Sequence, residues 1–296
     1  MRRSIRAIAA GAAFVLLFRN GPASANPSCP ASISSCGCTI TSGGYYAVVS
    51  DLTAGSSGDC LDIKAAGVTL WLDGHSIEGN GSGVGLHLLK SARNNFIEGL
   101  DLNSGAFADL DGFGVGLEDD ANNAIISHTN FDDNAEAGIL LNKVSGSLVS
   151  DFAARSNAYG VQLSGASSCS IQRVSLDGNS IYGVWFYQSS GNVLNFFEAQ
   201  DNLVAGVYVG CQSSAGPVGG RCKASNKNHI YDGPQVGPAT ASQQYGVAID
   251  SGNRGNVLSG IMAAGDSTTD LLDQNPGCGS DLWFNNSGSN DSSCIH

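Results

Sequence analysis

The chain is short of basic residues and of long apolar runs. Lys and Arg number 14 against 26 Asp and Glu, for a formal net charge of −12. A surface this acidic excludes nucleic acid as a partner, because phosphate recognition needs clustered Lys and Arg. It also repels polyanionic sugars unless a cation bridges them. The longest apolar stretch, Ala7 to Phe18, is about 12 residues, too short for a membrane span. No Gly-x-Ser-x-Gly elbow, phosphate loop or dinucleotide fingerprint falls in a strand–helix context. The five histidines are dispersed with no metal-binding spacing, so spacing alone gives no reason to expect a metal or cofactor. Glycine is abundant at 40 residues but follows no collagen triplet; it marks many tight turns.

The first 25 residues have the form of an export signal: Arg2, Arg3 and Arg6, the apolar stretch, then Ala23-Ser24-Ala25 as a small-x-small cleavage site. The segment carries four arginines and no acid, so its removal takes the formal charge from −12 to about −16. The expected mature protein begins at Asn26 and is secreted or periplasmic. Nine cysteines fit an oxidising compartment. Cys211 and Cys222 bracket a Gly/Ser/Pro-rich insertion and are expected to pair, as are Cys278 and Cys294 around the C-terminal tail. Cys29, Cys36, Cys38 and Cys60 allow two bridges in three connectivities. A zinc site at Cys36-x-Cys38 is disfavoured by the short spacing and the lack of a nearby His.

The strongest signal is a repeat. Gly, an aliphatic residue, any residue and a large apolar residue recur seven times, starting at Gly85, Gly114, Gly138, Gly160, Gly183, Gly206 and Gly246. Most spacings are about 22 to 29 residues and the last is about 40. A period of this size marks a solenoid, and the period-2 alternation inside each copy marks a strand. A second motif alternates with the first, led by Asn95, Ala124, Ser147, Cys169, Asn192, Asn228 and Asn256. Stacked coils would let these side chains form a ladder of hydrogen bonds, with Cys169 as a small buried thiol filling one rung. Ile97, Ile126, Val149, Ile171, Leu194, Ile230 and Leu258 form an inward column. The residues after them, from Glu98, Ser127 and Ser150 to Ser259, are expected to face water. The reading is an all-β, right-handed parallel β-helix, a single-stranded three-sheet solenoid. It divides into a signal over 1–25, a Cys-rich cap and first coils over 26–67, coils over 68–262 with an insertion around 210–227, and a stapled tail over 263–296.

Val68-Thr69-Leu70-Trp71-Leu72-Asp73-Gly74-His75-Ser76-Ile77-Glu78-Gly79, with the tail Asn275-Pro276-Gly277-Cys278, Asp281-Leu282-Trp283 and Cys294-Ile295, resembles secreted right-handed β-helix repeat proteins of the pectin-lyase-like superfold. The resemblance implies the fold, with His75 as a turn residue. It implies no single activity, because this superfold hosts lyases, hydrolases, epimerases and adhesins. Asp109-Leu110-Asp111-Gly112-Phe113 followed by Asp132-Asp133 is similar to the opening motifs of polygalacturonases. Their Gly-His-Gly and Arg-x-Lys are missing here.

Two outward columns hold the candidate chemistry. On the Gly-bearing strand the outward residues read His87, Gly116, Leu140, Gln162, Trp185, Tyr208 and Ala248. Coils stack about 4.8 Å apart, so Trp185, Tyr187 and Tyr208 are expected to form one exposed aromatic patch suited to sugar rings or a protein partner, unless the 211–222 insertion covers them. Two residues after the inward column stand Gly99, His128, Asp151, Arg173 and Phe196, and further on Asn103, Asp132, Arg155, Asp177 and Gln200. His128, Asp132, Asp151, Arg155 and Arg173 would give a lyase a base and a carboxylate-neutralising cation. The bland alternative is a ladder of ion pairs between coils. The acidic run Asp101 to Glu136 could hold calcium, although turn-forming Asp explains it as well. The favoured function is a non-enzymatic extracellular scaffold that binds a polysaccharide or surface partner through Trp185, Tyr187 and Tyr208. The alternative is a polysaccharide-active enzyme, a lyase before a hydrolase, acting on acidic glycans.

Overall fold

The computed structural model describes residues 26–55, 59–210, 212–213, 216–217, 223–239, 243–290 and 294–295. The expected signal and the Cys211–Cys222 pairing lie outside the described residues. Ten parallel strands form sheet one: Cys38–Ile40, Leu61–Ile63, Val84–Leu88, Val115–Asp119, Ala137–Asn142, Tyr159–Ser164, Tyr182–Tyr187, Ala205–Val209, Tyr245–Ile249 and Thr269–Asp273. Sheet two runs from Ser32–Ile33 to Leu282–Phe284. Sheet three begins as separate strands at Leu52–Thr53, Ser76–Glu78, Ala108–Asp111 and Thr129–Asp132. From Leu148–Arg155 onward, sheets two and three are the two halves of one bent strand. This is a parallel three-sheet β-helix of about ten coils with almost no helix, as the repeat predicted.

The register shows why glycine leads the repeat. A Cβ on Gly160 would sit 2.7 Å from the Gly183 carbonyl oxygen, and one on Gly183 would sit 2.6 Å from that of Gly206. Backbones in neighbouring coils approach too closely there for any side chain. The same test corrects the alignment of the second copy. Leu86 pairs with Leu117, and a Cβ on Gly85 would meet the Gly116 oxygen at 2.6 Å. The column member is therefore Gly116, two residues on from Gly114. A two-residue slip keeps the inward and outward faces but misnames the outward residue, which is Glu118 beside His87.

Inward columns from all three sheets fill a single core. Ile97, Ile126, Val149, Ile171, Leu194, Ile230 and Leu258 are all buried, as are Leu86, Ile139, Val161 and Val184 from sheet one. Buried polar residues line the corners as ladders. In the expected one, Asn192 donates from its backbone N–H and Nδ2 to Asn228 Oδ1, each at 3.1 Å. Asn228 does the same to Asn256, and Asn256 to Asp281 Oδ1. Cys169 is buried and passes its N–H to Asn192 Oδ1 at 3.0 Å, while burial pushes its thiol pKa up. A second ladder at the turn into sheet one runs Asn134, Asn157, Asn179, Asn202 and Gln243. Each rung gives a turn N–H that faces away from solvent its partner in the next coil.

The ends are closed covalently. Cys29 bonds Cys38, Cys36 bonds Cys60 and Cys278 bonds Cys294. The tail adds its own strands, Thr269–Asp273 in sheet one and Leu282–Phe284 in sheet two, so it extends the solenoid. His75 sits in a turn, its N–H bonded to the Leu72 carbonyl oxygen and its Nδ1 3.1 Å from Asp51 Oδ1.

Several carboxylates are trapped in this frame. Burial pushes the Asp281 pKa up to about 6 and that of Asp111 up to about 6. Burial and the neighbouring Asp270 push Asp266 up to about 8. A pKa raised on folding stabilises the native state below the unfolded value, near 3.8, and that stability is lost as pH rises through the folded value. The chain should therefore melt at a higher temperature at pH 5 than at pH 8, by roughly 3 °C or more. Asp266→Asn should remove part of the difference. Calorimetry at the two pH values checks this.

Candidate functional site

The corner between sheets two and three is built from residues in left-handed backbone conformation. His128 (φ 54°), Asp151 (φ 57°), Arg173 (φ 55°), Phe196 (φ 50°) and Asp232 (φ 56°) occupy it in successive coils, and Gly260 (φ 66°) closes the series. For a residue with a Cβ this conformation costs roughly 1–2 kcal/mol, and here it buys a sharp turn within one continuous strand. The turn also breaks the period-2 alternation. Val149 and Ser150 are buried, Asp151 is partly exposed, then Phe152 and Ala154 are buried in the core and Arg155 is exposed. The corner residues are thus pushed out from the solenoid as a ridge.

Beside this ridge runs an open groove of about 560 Å³. Ala153 and Ser175, small residues paired across neighbouring coils, lie along it. Asp151, Arg173 and Phe196 supply one side, with Arg155, Asn130 and Glu198 also lining it and Phe107 and Pro234 adding apolar surface. Arg173 grips Asp151 with two hydrogen bonds, Nε to Oδ1 at 2.5 Å and Nη2 to Oδ2 at 2.6 Å. These bonds hold the Asp151 carboxyl below the usual carboxylate range. The Arg173 side chain is still half exposed, at 51%. Arg155 lies 4.0 Å from Asp132, a looser pair. Phe196 presents its ring to solvent with 56% of its surface exposed.

The residues expected to act together are only partly brought together. Asp151, Arg155 and Arg173 line the groove. His128 stands at the corner one coil away, its ring edge-on to Phe107 with centroids 5.1 Å apart. Its Nδ1 is 2.9 Å from Glu98 Oε1, within ion-pair reach but off the line of a hydrogen bond. Asp132 caps the coil, its Oδ1 accepting the Arg155 N–H at 2.8 Å while its own N–H donates to Asp111 Oδ1 at 3.0 Å. The partner of Asp132 in the preceding coil is thus Asp111 and not Asn103. Residues 100–107 are an extra loop between Gly99 and the sheet-three strand, and they shift that part of the column. The same corner explains why Glu98, Ser127 and Ser150 are buried where solvent exposure was expected. Ser127 Oγ donates to Glu98 Oε2 at 3.0 Å.

The expected aromatic patch is corrected more sharply. Trp185 and Tyr208 are only 6% and 7% exposed, and Tyr187 is half-buried. They belong to a second apolar cluster on the outer face of sheet one, together with Tyr159 and Tyr182. Tyr182 and Tyr208 stack with centroids 4.5 Å apart and planes 3° apart. Trp185 Nε1 donates to the Gly210 carbonyl oxygen at 3.0 Å, and the Tyr208 hydroxyl to Asp250 Oδ1 at 2.5 Å. Both polar tips are satisfied inside the protein, as in core packing. The residue before each glycine, Tyr159 and Tyr182 in two coils, was the signal for this cluster.

The chain folds as a right-handed parallel β-helix. Residues 27–173 match the family model described as the right handed beta helix region. No curated protein is significantly similar to the chain. Among solved structures, the A-module of the Azotobacter vinelandii mannuronan C-5 epimerase AlgE6 aligns at 16% identity and a TM-score of 0.52, over 88% of this chain and 78% of the module. The Dettilon tailspike protein aligns at 15% identity and 0.51, over 84% of this chain and 60% of its own. The enzymatically active domain of bacteriophage CBA120 tailspike protein 2 aligns at 11% and 0.51, over 86% of this chain and 41% of its own. At these identities the likeness is one of fold. No helix among the described residues is long and apolar enough to cross a membrane.

These placements give opposite expectations for two aromatic residues. Trp185→Ala should destabilise the protein by roughly 3 kcal/mol, as the loss of a buried ring does. Phe196→Ala should cost less than about 1 kcal/mol. Chemical denaturation of the two variants distinguishes a buried cluster from an exposed platform.

Proposed function

We propose that the protein is an exported carbohydrate-binding β-helix whose corner groove takes a glycan chain. The observation that carries this reading is Phe196, a phenyl ring held out at the bend beside the Asp151–Arg173 pair and lining the same groove. An exposed ring packs against the apolar face of a sugar, and rigid carboxylate and guanidinium groups bond its hydroxyls. Opposite charges along the groove keep it close to neutral in a chain of net charge −12, so a neutral or weakly acidic glycan is not repelled there. The groove volume falls in the roughly 300–1,000 Å³ range of small-ligand clefts. The mannuronan epimerase module is named for a polysaccharide, which supports the same ligand class. Export is supported by the arginine-led apolar leader and by three disulfides among the described residues, bonds that form in oxidising compartments.

The lyase alternative would draw on the same residues. Arg173 is engaged by Asp151, which leaves its guanidinium less free to neutralise a substrate carboxylate, and His128 stands one coil away from that pair, beside Glu98 and Phe107. Calcium, if it takes part, would act by bridging an acidic glycan to the acidic surface. The test is a panel of neutral and uronic-acid polysaccharides, with and without calcium, followed by calorimetry on those that bind. Phe196→Ala should weaken binding about tenfold, the equivalent of ~1.4 kcal/mol for one aromatic contact, and Trp185→Phe should leave it unchanged. Equal binding by wild type and Phe196→Ala would overturn the groove assignment. Release of unsaturated sugar ends from uronic-acid polymers, lost in Arg173→Ala, would establish the lyase instead.

A further inference from the structure

At the N-terminal end of sheet one, on its outer face, Asp62, His87 and Glu118 stand side by side on three successive strands. Asp59 precedes the first of these strands and Asp120 follows the last. The His87 ring lies between the two pairs of carboxylates. Its Nδ1 is 3.7 Å from Asp59 Oδ2 and 3.9 Å from Asp62 Oδ1, while its Nε2 is 3.4 Å from Asp120 Oδ2. One donor atom each from Asp59, Asp62 and His87 falls within a mutual distance of 4.8 Å.

Three observations separate this cluster from an ordinary acidic surface. First, Asp62 is already oriented: Asn26 Nδ2 and Thr39 Oγ1 donate to its Oδ2, at 3.2 and 3.5 Å. Its other oxygen, Oδ1, is fully buried, has no hydrogen-bond donor and lies on the side of the His87 ring. Among the described residues, the only positive group facing that oxygen is the His87 ring when protonated, at 3.9 Å, and a cation bound between the two would meet it at closer range. Second, no Lys or Arg among the described residues pairs with Asp62, Glu118 or Asp120. Third, the Asp120 carboxylate within reach of Nε2 can hold the proton on that nitrogen and leave Nδ1 as the lone-pair donor. A carboxylate behind a metal-binding imidazole does the same in known sites.

We infer that Asp59, Asp62 and the Nδ1 of His87 form a binding site for a divalent transition cation of the zinc class, oriented from behind by Asp120. The imidazole decides the class, since calcium and magnesium prefer all-oxygen ligands whereas zinc accepts nitrogen and carboxylate together. Tetrahedral zinc with bonds of about 2.1 Å holds its ligands roughly 3.4 Å apart. The 3.7 and 3.9 Å separations need to close by only a few tenths of an ångström. Three protein ligands on a partly exposed face leave a fourth position for water or a ligand group. No motif announces the site, because its residues come from separate coils.

Metal-depleted full-length protein is titrated with zinc, and separately with calcium, against a fluorescent chelator. Wild type should bind one equivalent of zinc and bind calcium at least tenfold more weakly. His87→Ala and Asp62→Asn should each weaken zinc binding at least tenfold, with melting curves confirming that both variants fold. Asp120→Asn should keep the stoichiometry with about tenfold lower affinity. His229→Ala, which removes an exposed imidazole on sheet two, should bind as wild type does. Anomalous scattering at the zinc edge should place the ion between Asp62 and His87. Zinc binding that is unsaturable, or unchanged in both His87→Ala and Asp62→Asn, overturns the site.

Discussion

Everything in this molecule follows from the stacking of one coil directly on the next. Parallel strands in register satisfy the backbone along the sheets, but each corner still leaves N–H groups facing the interior. The amide ladders close that gap. Asn157, Asn179 and Asn202 each accept the backbone N–H of the coil before through a side-chain oxygen, and Asn192, Asn228 and Asn256 do the same at another corner. A side chain that bonds one coil away can serve only if every coil turns at the same place. The ladders therefore impose the register, and the register brings distant residues into columns.

The columns divide the work. Inward ones are interchangeable aliphatics and carry stability alone. The bend column is different, because a left-handed residue there projects outward whatever its chemistry. Most coils fill it with a residue other than glycine, despite the conformational cost, and three neighbouring coils fill it with Asp151, Arg173 and Phe196. Because Ala153 and Ser175 beside them are small, the ridge borders a groove open to solvent. On sheet one the corresponding outward positions are mostly consumed by the buried tyrosine and tryptophan cluster. Toward the N-terminal end that face carries a cluster of titratable groups around His87.

The fold was legible because its cause is periodic. Seven glycines and the aliphatics after them announce strand, solenoid and inward face, and even the slip at Gly114 for Gly116 preserved the face by moving two residues. That slip hid Glu118, and so hid the cluster at His87. The site was less legible for two physical reasons. The bend is made by backbone torsion, and His128, Asp151, Arg173 and Phe196 have no common composition to announce it, so the sequence lines them up in one outward column without showing the left-handed turn that projects them. The extra loop of residues 100–107 then displaced Asn103 from a column that Asp111 occupies. Exposure failed in the same way. Trp185 and Tyr208 do point outward from the sheet, but whether an outward residue meets water depends on Tyr159 and Tyr182 in the adjoining column.

The central claim is that a glycan lies along the corner groove. Hydrogen–deuterium exchange of the protein, with and without a bound oligosaccharide, measures this residue by residue. Protection concentrated in segments 151–155, 173–175 and 196–198 is the result this account requires. Protection confined to the sheet-one strands that carry Gln162, Trp185 and Tyr208, with the corner unchanged, would contradict it.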